Sequence, residues 1–506
     1  MIQQEIFINC GLQETRVAIL ENKQLEEFYI ERAGTPRIVG NIYKGVVDSI
    51  LPGMGSAFVN LGLERNGFLY VSDVIAPTLT YDSMLEDVEE EVKEFEPRHR
   101  QTAPIKDLLK RQDEILVQVV KGPIGTKGPR LTTHLSIPGH FVVLMPFSST
   151  VGISKRIEER AERDRIRKIL EEMRLPKNLG LIVRTAALGV ERSELIREVK
   201  YLMRLWARIR ERAKRSKPPC PVYEEYNIVL RVARDLITSN VGRIEIDSKP
   251  EFRQQIHFLN SFSQRLRSKI RLYRDTIPLF EHYDIERQIE QIYDRNVKLK
   301  CGGYIVIEET EGLVAIDINS GRFVGKRNLE ETVFKTNLEA AEETARQIRL
   351  RDLGGIIVID FIDMESPEHR RSVLKTFEAA LERDRAKAKI LNFSSLGVVE
   401  MSRQRMRKSL AGVIYQDCPY CSGRGLVKSV PTVSIELMRR LDRFFGERTI
   451  LAKEVFIVAN PEVSQYLLQP EKRIIPYLEK RFRKRIRVIE NPSLHVEDVR
   501  IEEKIT

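Results

Sequence analysis

Cysteine is scarce in this chain: five in 506 residues, at positions 10, 220, 301, 418 and 421, an odd number. That excludes the disulfide framework of a small secreted domain and points to a reducing cytoplasm. Long apolar runs are missing too. None approaches the ~20 residues that a membrane-spanning helix needs. The opening MIQQEIFINC lacks a basic stretch leading into an apolar one, so no secretory leader is expected. What remains is 42% hydrophobic and 31% charged, and too long for a single core, which implies several soluble domains. The net charge of +11 favours a polyanionic partner, although many basic proteins bind no nucleic acid.

The most informative stretch runs from Gly302 to Met364. Two β-branched runs, Leu313–Ile318 and Ile356–Ile359, each carry an acidic residue at or near the end, Asp317 and Asp360. Asn319 lies two residues beyond Asp317 and therefore on the same face of an extended strand. GGIIVIDFID is continuously apolar up to Asp360, the pattern of a strand buried on both faces. Between the runs, Val333, Leu338, Ala341, Ala345 and Ile348 recur at helical spacing, with Asn328 as the expected N-cap and Gly354-Gly355 as the stop. A strand–helix–strand unit brings Asp317, Asn319 and Asp360 to neighbouring strand ends, where ligands collect in α/β sheets. Magnesium takes one or two carboxylates and keeps its waters, so this set suits it. From the residues alone, strand-end aspartates that cap turns are an equally open reading.

AIDINSG, the aspartate of GGIIVIDFIDM 43 residues on, NLEAAEETARQIRLRDLGG between them, VEMSRQRMRKSL and CPYCSGRG together resemble the ribonuclease E/G family, in its short form without a C-terminal scaffold. The resemblance covers the chain to about residue 425. It implies a multidomain α/β fold: a ribonuclease H-like subdomain in two parts, 1–39 and 220–280, interrupted by an S1-type barrel at 40–128 and a 5′-sensor region at 129–219. A deoxyribonuclease I-like catalytic subdomain follows at 281–405, then a zinc link at 406–425 and a small α/β domain at 426–506.

Local patterns agree with that order. Residues 1–36 read as a hairpin meander too small for its own core, with 222–280 as its partner. Residues 40–128 give short strands with Gly and Pro turns, as in a five-stranded oligonucleotide-binding barrel, with an acidic insertion at 77–105 that should lie away from RNA. Phe58 and Phe68 in its strands are read by default as core. The resemblance makes them base-stacking residues, each contributing on the order of 1–3 kcal/mol, with Lys121 and Lys127 on phosphates. It likewise maps a pocket for a 5′-terminal phosphate onto Gly139, Val143, Arg184 and Thr185, with Lys387 where the best-known member has arginine. ARIRERAKRSKPPCP (207–221) reads as helix-like and basic, closed by Pro218-Pro219, a linker with a solvated charged face. The region 222–280 shows no dense carboxylate cluster and reads as structural.

Cys418 and Cys421 supply half of the four ligands a structural zinc needs, and no second CxxC or close CxxH exists. Either two chains share a Zn(Cys)4 site, as the family does, or the pair is a redox CxxC. Taken together, the resemblance implies a Mg2+-dependent endoribonuclease on single-stranded RNA (rRNA precursors and mRNA). It would be stimulated by a 5′-monophosphate, would leave 5′-phosphate and 3′-hydroxyl ends, and would work as a zinc-linked homodimer that could pair into a tetramer. The catalytic residues would be Asp317, Asn319 and Asp360, with Asp317 and Asp360 as Mg2+ ligands. Two rivals stand beside it. A non-catalytic RNA-binding or ribosome-assembly factor leaves the aspartates unexplained, and an aspartyl-phosphate phosphotransferase would normally show DxD, where this chain has Asp-Ile-Asn.

Overall fold

The computed structural model describes residues 4–34, 37–74, 104–123, 127–147, 151–173, 175–176, 179–237, 240–261, 263, 265–321, 329–405, 410–416, 418–447 and 454–503. They form two units, 1–409 and 410–506. Asn328 and nearly all of the acidic insertion lie outside the described residues, as do positions 406–409 within VEMSRQRMRKSL.

The chain opens with an antiparallel meander of β1 (Gln4–Cys10), β2 (Glu14–Glu21) and β3 (Gln24–Arg32). Ile6, Phe7 and Ile8 are all fully buried, so β1 is covered on both faces and its partner must come from elsewhere. β4 (Ile42–Leu51), β5 (Ser56–Asn60), β6 (Gly67–Tyr70), β7 (Glu114–Lys121) and β8 (Arg130–Thr132) then form the barrel. β4 pairs with both β5 and β7, which closes it at five strands. Closure leaves no free edge. Its core is Val47, Ala57, Val59, Leu69, Val117, Val119 and Leu131.

β9 (Ile137–Pro138), β10 (Val142–Pro146), β11 (Val151–Ile153) and β12 (Leu179–Val183) make a second, four-stranded sheet. The Arg192–Arg215 helix packs on it, burying Leu195, Val199, Leu202, Trp206, Ile209 and Ala213. The expected linker at 207–221 is therefore wrong in its first half. Trp206, Ile209 and Ala213 are spaced by three and four and put one stripe of this charged helix in the core, while its arginines remain outside. β13 (Cys220–Tyr223) then adds to β4.

The distant partner of the meander is β14 (Val241–Ile246), parallel to β1 and followed by β15 (Ile270–Leu272), in the order β15-β14-β1-β2-β3. The expected pairing of residues 1–36 with 222–280 is thus found, across more than 230 residues of chain.

The third large sheet contains β16 (Asn296–Lys298), β17 (Tyr304–Glu309), β18 (Leu313–Asn319), β19 (Gly355–Asp360), β20 (Ala388–Ile390) and β21 (Val398–Arg403), in the order β16-β17-β18-β19-β21-β20. Only β18 and β19 are parallel within it, joined by the Leu329–Leu350 helix. That helix buries Val333, Ala341, Ala345 and Ile348, with Leu338 packed beside them. The Pro367–Leu381 helix adds Val373, Phe377 and Leu381 to the same core, and Ser366 caps it by accepting from Glu368 N.

Here one expectation fails. β19 is not buried on both faces: Ile357 and Ile359 are covered, but Ile356 is 56% exposed and Val358 half-buried. Both helices contribute to a core on one side of this sheet, so the second face stays open despite its apolar residues. Arg346 of the helix donates to Leu25 O at 2.7 Å and Arg349 pairs with Glu26, whose carboxyl burial pushes up to about 7. These contacts fix the meander against the Leu329–Leu350 helix.

In the second unit β22 (Glu454–Ala459) lies between parallel β23 (Arg485–Glu490) and antiparallel β24 (Val499–Glu503). The helices Val430–Glu447, Pro461–Leu468 and Ile474–Phe482 contribute Val433, Leu437, Leu441, Val463, Leu467 and Leu478 to its core.

Candidate active site

The parallel register of β18 and β19 sets Asp317 directly opposite Asp360. Both are exposed on the open face, because their neighbours Ile316, Ile318 and Ile359 take the covered one. Asn319 Nδ2 donates to Asp317 Oδ2 at 2.7 Å. The Asp360 carboxyl is raised above its usual range, first by burial and then by the negative charges of Asp317 and Asp363. Among the described residues neither Asp317 nor Asp360 has an ion-pair partner. A bare carboxylate pair with this mutual repulsion fits a divalent cation, whose charge would offset it. No group of three or more His, Cys, Asp or Glu converges on one point among the described residues, so the site offers a hydrated ion two carboxylates rather than a full cage.

Residues that the sequence reading missed hold this site in place. Asn337 is fully buried in the helix and clamps the backbone after Asp360: its Nδ2 donates to Ile362 O at 2.8 Å and its Oδ1 accepts from Ile362 N at 3.2 Å. Glu330 accepts from Glu365 N and Ser366 N. Only the polar residue at an otherwise core-facing position, Asn337, signalled this in sequence.

On the barrel, β5–β6 and β6–β8 pairing lines up Phe58, Phe68 and Arg130 in one row, and Lys121 pairs next to Arg130. The two phenylalanines are half-buried with ring centroids 5.5 Å apart. Phe68 meets Tyr70 at 4.4 Å, and the Arg130 guanidinium lies 5.2 Å from the Tyr70 ring centroid. Tyr70, 40% exposed, and Arg130 extend the aromatic–basic strip beyond the residues picked out from sequence. Lys121 and Lys127 are exposed, and Lys127 lies outside that row. If this strip stacks bases, Phe58→Ala or Phe68→Ala weakens binding of an unstructured oligoribonucleotide about 5- to 100-fold, measured by fluorescence anisotropy.

Gly139, Val143, Arg184 and Thr185 are also brought together, since β10 pairs with β12 and Arg184 N donates to Phe141 O. Gly139 admits no side chain: a Cβ would lie 2.8 Å from both the Glu198 carboxyl carbon and Val142 O. The fully buried Glu198 accepts from the N–H groups of His140, Phe141 and Val142 at 2.6, 2.7 and 3.0 Å. Burial pushes its carboxyl up to about 7 against the pull of those donors. Arg184 Nη1 donates to Gly139 O at 2.7 Å and Asp235 Oδ1 at 2.8 Å. Its Nε and Nη2 have no partner among the described residues, which leaves a donor fork for an anion. Burial opposes the charge on Asp235, but Arg234 and then Arg184 overcome it and hold its carboxyl well below the usual range. Asp235 comes from the region read as purely structural; nothing in its local sequence links it to Arg184, 51 residues earlier.

Cys418 is exposed and Cys421 buried, with Gly425 N donating to Cys421 Sγ at 3.2 Å. The backbone N–H groups of Cys421 and Tyr420 lower the Cys418 thiol. Ser422, Gly423 and Gly425 all take positive φ, which wraps the loop tightly round the sulfurs. Such N–H donors to sulfur favour the thiolate form that metals bind.

The model of the Ribonuclease E/G family matches residues 136–406, and that of the RNase E/G thioredoxin-like domain matches residues 417–504. The chain is 41% identical to Ribonuclease G of Escherichia coli (strain K12) over 493 residues, 97% of this chain and 98% of that protein. It is 43% identical to Ribonuclease G of Haemophilus influenzae over 486 residues, 96% of each. Ribonuclease E of Escherichia coli is 38% identical over 487 residues, which cover 94% of this chain but 44% of that protein.

Proposed function

The chain belongs to the ribonuclease E/G family and is an endoribonuclease, and on that premise we propose that it cuts single-stranded RNA with Mg2+ held by Asp317 and Asp360. The observation that carries this reading is the opposition of the two bare carboxylates across β18 and β19 on an open sheet face. Bound there, Mg2+ would acidify an attacking water and neutralise charge building up on the scissile phosphate. Asn319, already bonded to Asp317, orients that water or a phosphate oxygen. The water route needs no 2′-hydroxyl nucleophile and leaves 5′-phosphate and 3′-hydroxyl ends. The Phe58–Phe68–Tyr70 row takes unpaired bases while Lys121, Lys127 and Arg130 meet phosphates. We read the meander sheet as ribonuclease H-like, the barrel as S1-type and residues 281–405 as deoxyribonuclease I-like.

The pocket at Gly139, Val143, Arg184 and Thr185 receives the 5′-terminal monophosphate in this account. Asp235 fixes the Arg184 guanidinium and the exposed Thr185 hydroxyl completes the donor set. Its size and charge favour a monophosphate over a hydroxyl end. Arg184→Ala then lowers the preference for 5′-monophosphorylated over 5′-hydroxyl RNA by about tenfold or more, read as the ratio of kcat/KM on the two substrates. An unchanged ratio removes the pocket as a sensor and leaves the nuclease standing.

Two copies share one zinc through Cys418 and Cys421 in this reading, which makes the working form a homodimer or a dimer of dimers. Its substrates are rRNA precursors and mRNA in the cytoplasm. The rival of a non-catalytic RNA-binding or ribosome-assembly factor is set aside by membership of an endoribonuclease family at 41–43% identity over nearly the whole chain. The test of the whole reading is cleavage of an AU-containing single strand in Mg2+ by wild type and by Asp317→Asn.

A further inference from the structure

We propose that Leu396 and Val398 form an apolar ledge that receives the base flanking the scissile phosphate, which makes Leu396 a specificity-determining residue. The proposal rests on the reading of Asp317 and Asp360 as the cleavage site.

The loop between β20 and β21, LNFSSLGV, turns back beside that site. Val398, the first residue of β21, pairs directly with Asp360 and so shares its open face. Leu396 lies two residues earlier and is 87% exposed. A single exposed leucine needs no explanation in itself. Three features set this one apart.

The loop is rigidly built. Leu391 N donates to Glu400 O at 2.9 Å, Ser394 N to Val398 O at 2.9 Å, Gly397 N to Ser394 O at 3.1 Å, and Leu396 N to Ser394 Oγ at 3.3 Å. Phe393 packs on Phe361, the residue after Asp360, with centroids 5.9 Å apart. The loop is therefore tied to the catalytic strand itself.

The loop also sits over the acidic edge. Gly397, at φ +86°, lies so near Asp363 that a Cβ would be 3.7 Å from its Oδ1. This left-handed position turns the chain between Leu396 and Val398, the residue that pairs with Asp360. Finally, the open face carries further apolar surface: Val398 is half-buried in the same row as Asp360, and Val358, paired with Glu400, is half-buried in the next row, with Ile356 beyond.

A phosphate held at Asp317 and Asp360 puts its own nucleotide's base within reach of this ledge. The acidic groups around it (Asp317, Asp360, Asp363) repel further phosphates, so what the ledge can accept is a base face. An apolar side chain covers a large base better than a small one, which converts contact area into selectivity.

The experiment uses the full chain in Mg2+ on a pool of 5′-monophosphorylated single strands. These are identical except for randomised nucleotides on each side of one cut site, and the products are sequenced. Wild type is expected to discriminate among bases at one flanking position. Leu396→Ala compresses that preference about three- to tenfold, whereas Leu396→Phe preserves or sharpens it; both keep the wild-type melting temperature. A flat wild-type profile at both flanking positions overturns the proposal. So does a Leu396→Ala profile equal to wild type, or a uniform loss across all bases. Absence of any wild-type cleavage in Mg2+ overturns the metal-site reading and this ledge with it, an outcome distinct from retained cleavage with unaltered selectivity.

Discussion

Asp360→Asn is expected to lower kcat by on the order of 10^3, about 4 kcal/mol of transition-state stabilisation, with RNA affinity within about twofold of wild type. The argument is electrostatic. Asp360 faces Asp317 with no basic partner among the described residues, and its carboxyl is raised by burial and by that neighbour. Replacing one carboxylate by an amide relieves the repulsion and removes half of the metal-binding charge. The fold should tolerate the change, because Asp360 is exposed at the end of β19 and the Asn337 side chain holds the following backbone through the main chain of Ile362. Melting temperature is expected to hold or rise slightly. The loss should therefore appear in single-turnover rate with saturating enzyme, and higher Mg2+ should restore part of it. A mutant that cuts as fast as wild type would place the chemistry elsewhere.

Cys421→Ser is expected to abolish zinc retention and to convert the dimer to monomer at micromolar concentration, measured by light scattering alongside metal content. A structural zinc closes four ligands, and its binding contributes on the order of 10 kcal/mol or more. This knuckle supplies two sulfurs, one exposed and one buried, within a loop whose N–H groups already point at sulfur. In the proposed arrangement a second copy would supply the other two ligands. Around the knuckle, the Tyr420 and His495 rings pack tilted with centroids 4.1 Å apart, and Lys428 N donates to Glu497 Oε1 at 2.9 Å. Those contacts keep the loop seated on its own domain when the metal is gone, so the monomeric mutant should remain folded. A zinc-free wild-type protein that stays dimeric would contradict the shared site.

The features of this molecule that were legible in its sequence are those set by local chemistry. Asp317 and Asp360 stand out because a β-branched run that stops at a carboxylate has no core use for that charge. The glycine-laced cysteine loop is local as well. The closed barrel followed from strand lengths and turns.

Other features depend on what packs where, and pattern alone misled. In β19 the open face carries Ile356 and Val358, so alternation vanished and the strand read as buried on both sides. At 206–215 charge hid a narrow core stripe of Trp206, Ile209 and Ala213. Asp235, Tyr70 and Arg130 gain meaning only through pairing with distant chain: Asp235 with Arg184, and Tyr70 beside the row in which Phe68 pairs with Arg130. The partner of β1 lay more than 230 residues away, and was found because the meander was too small to bury its own apolar residues.

In the proposed chemistry water, supported by the carboxylate pair, attacks the phosphodiester. The most direct measurement is cleavage, in Mg2+, of a 5′-monophosphorylated single strand carrying one 2′-deoxynucleotide immediately 5′ to the scissile bond, with the product ends identified by mass. Attack by water gives a cut at close to the all-RNA rate, yielding 5′-phosphate and 3′-hydroxyl ends. Failure to cut that strand, or 2′,3′-cyclic phosphate ends on the all-RNA control, would contradict it.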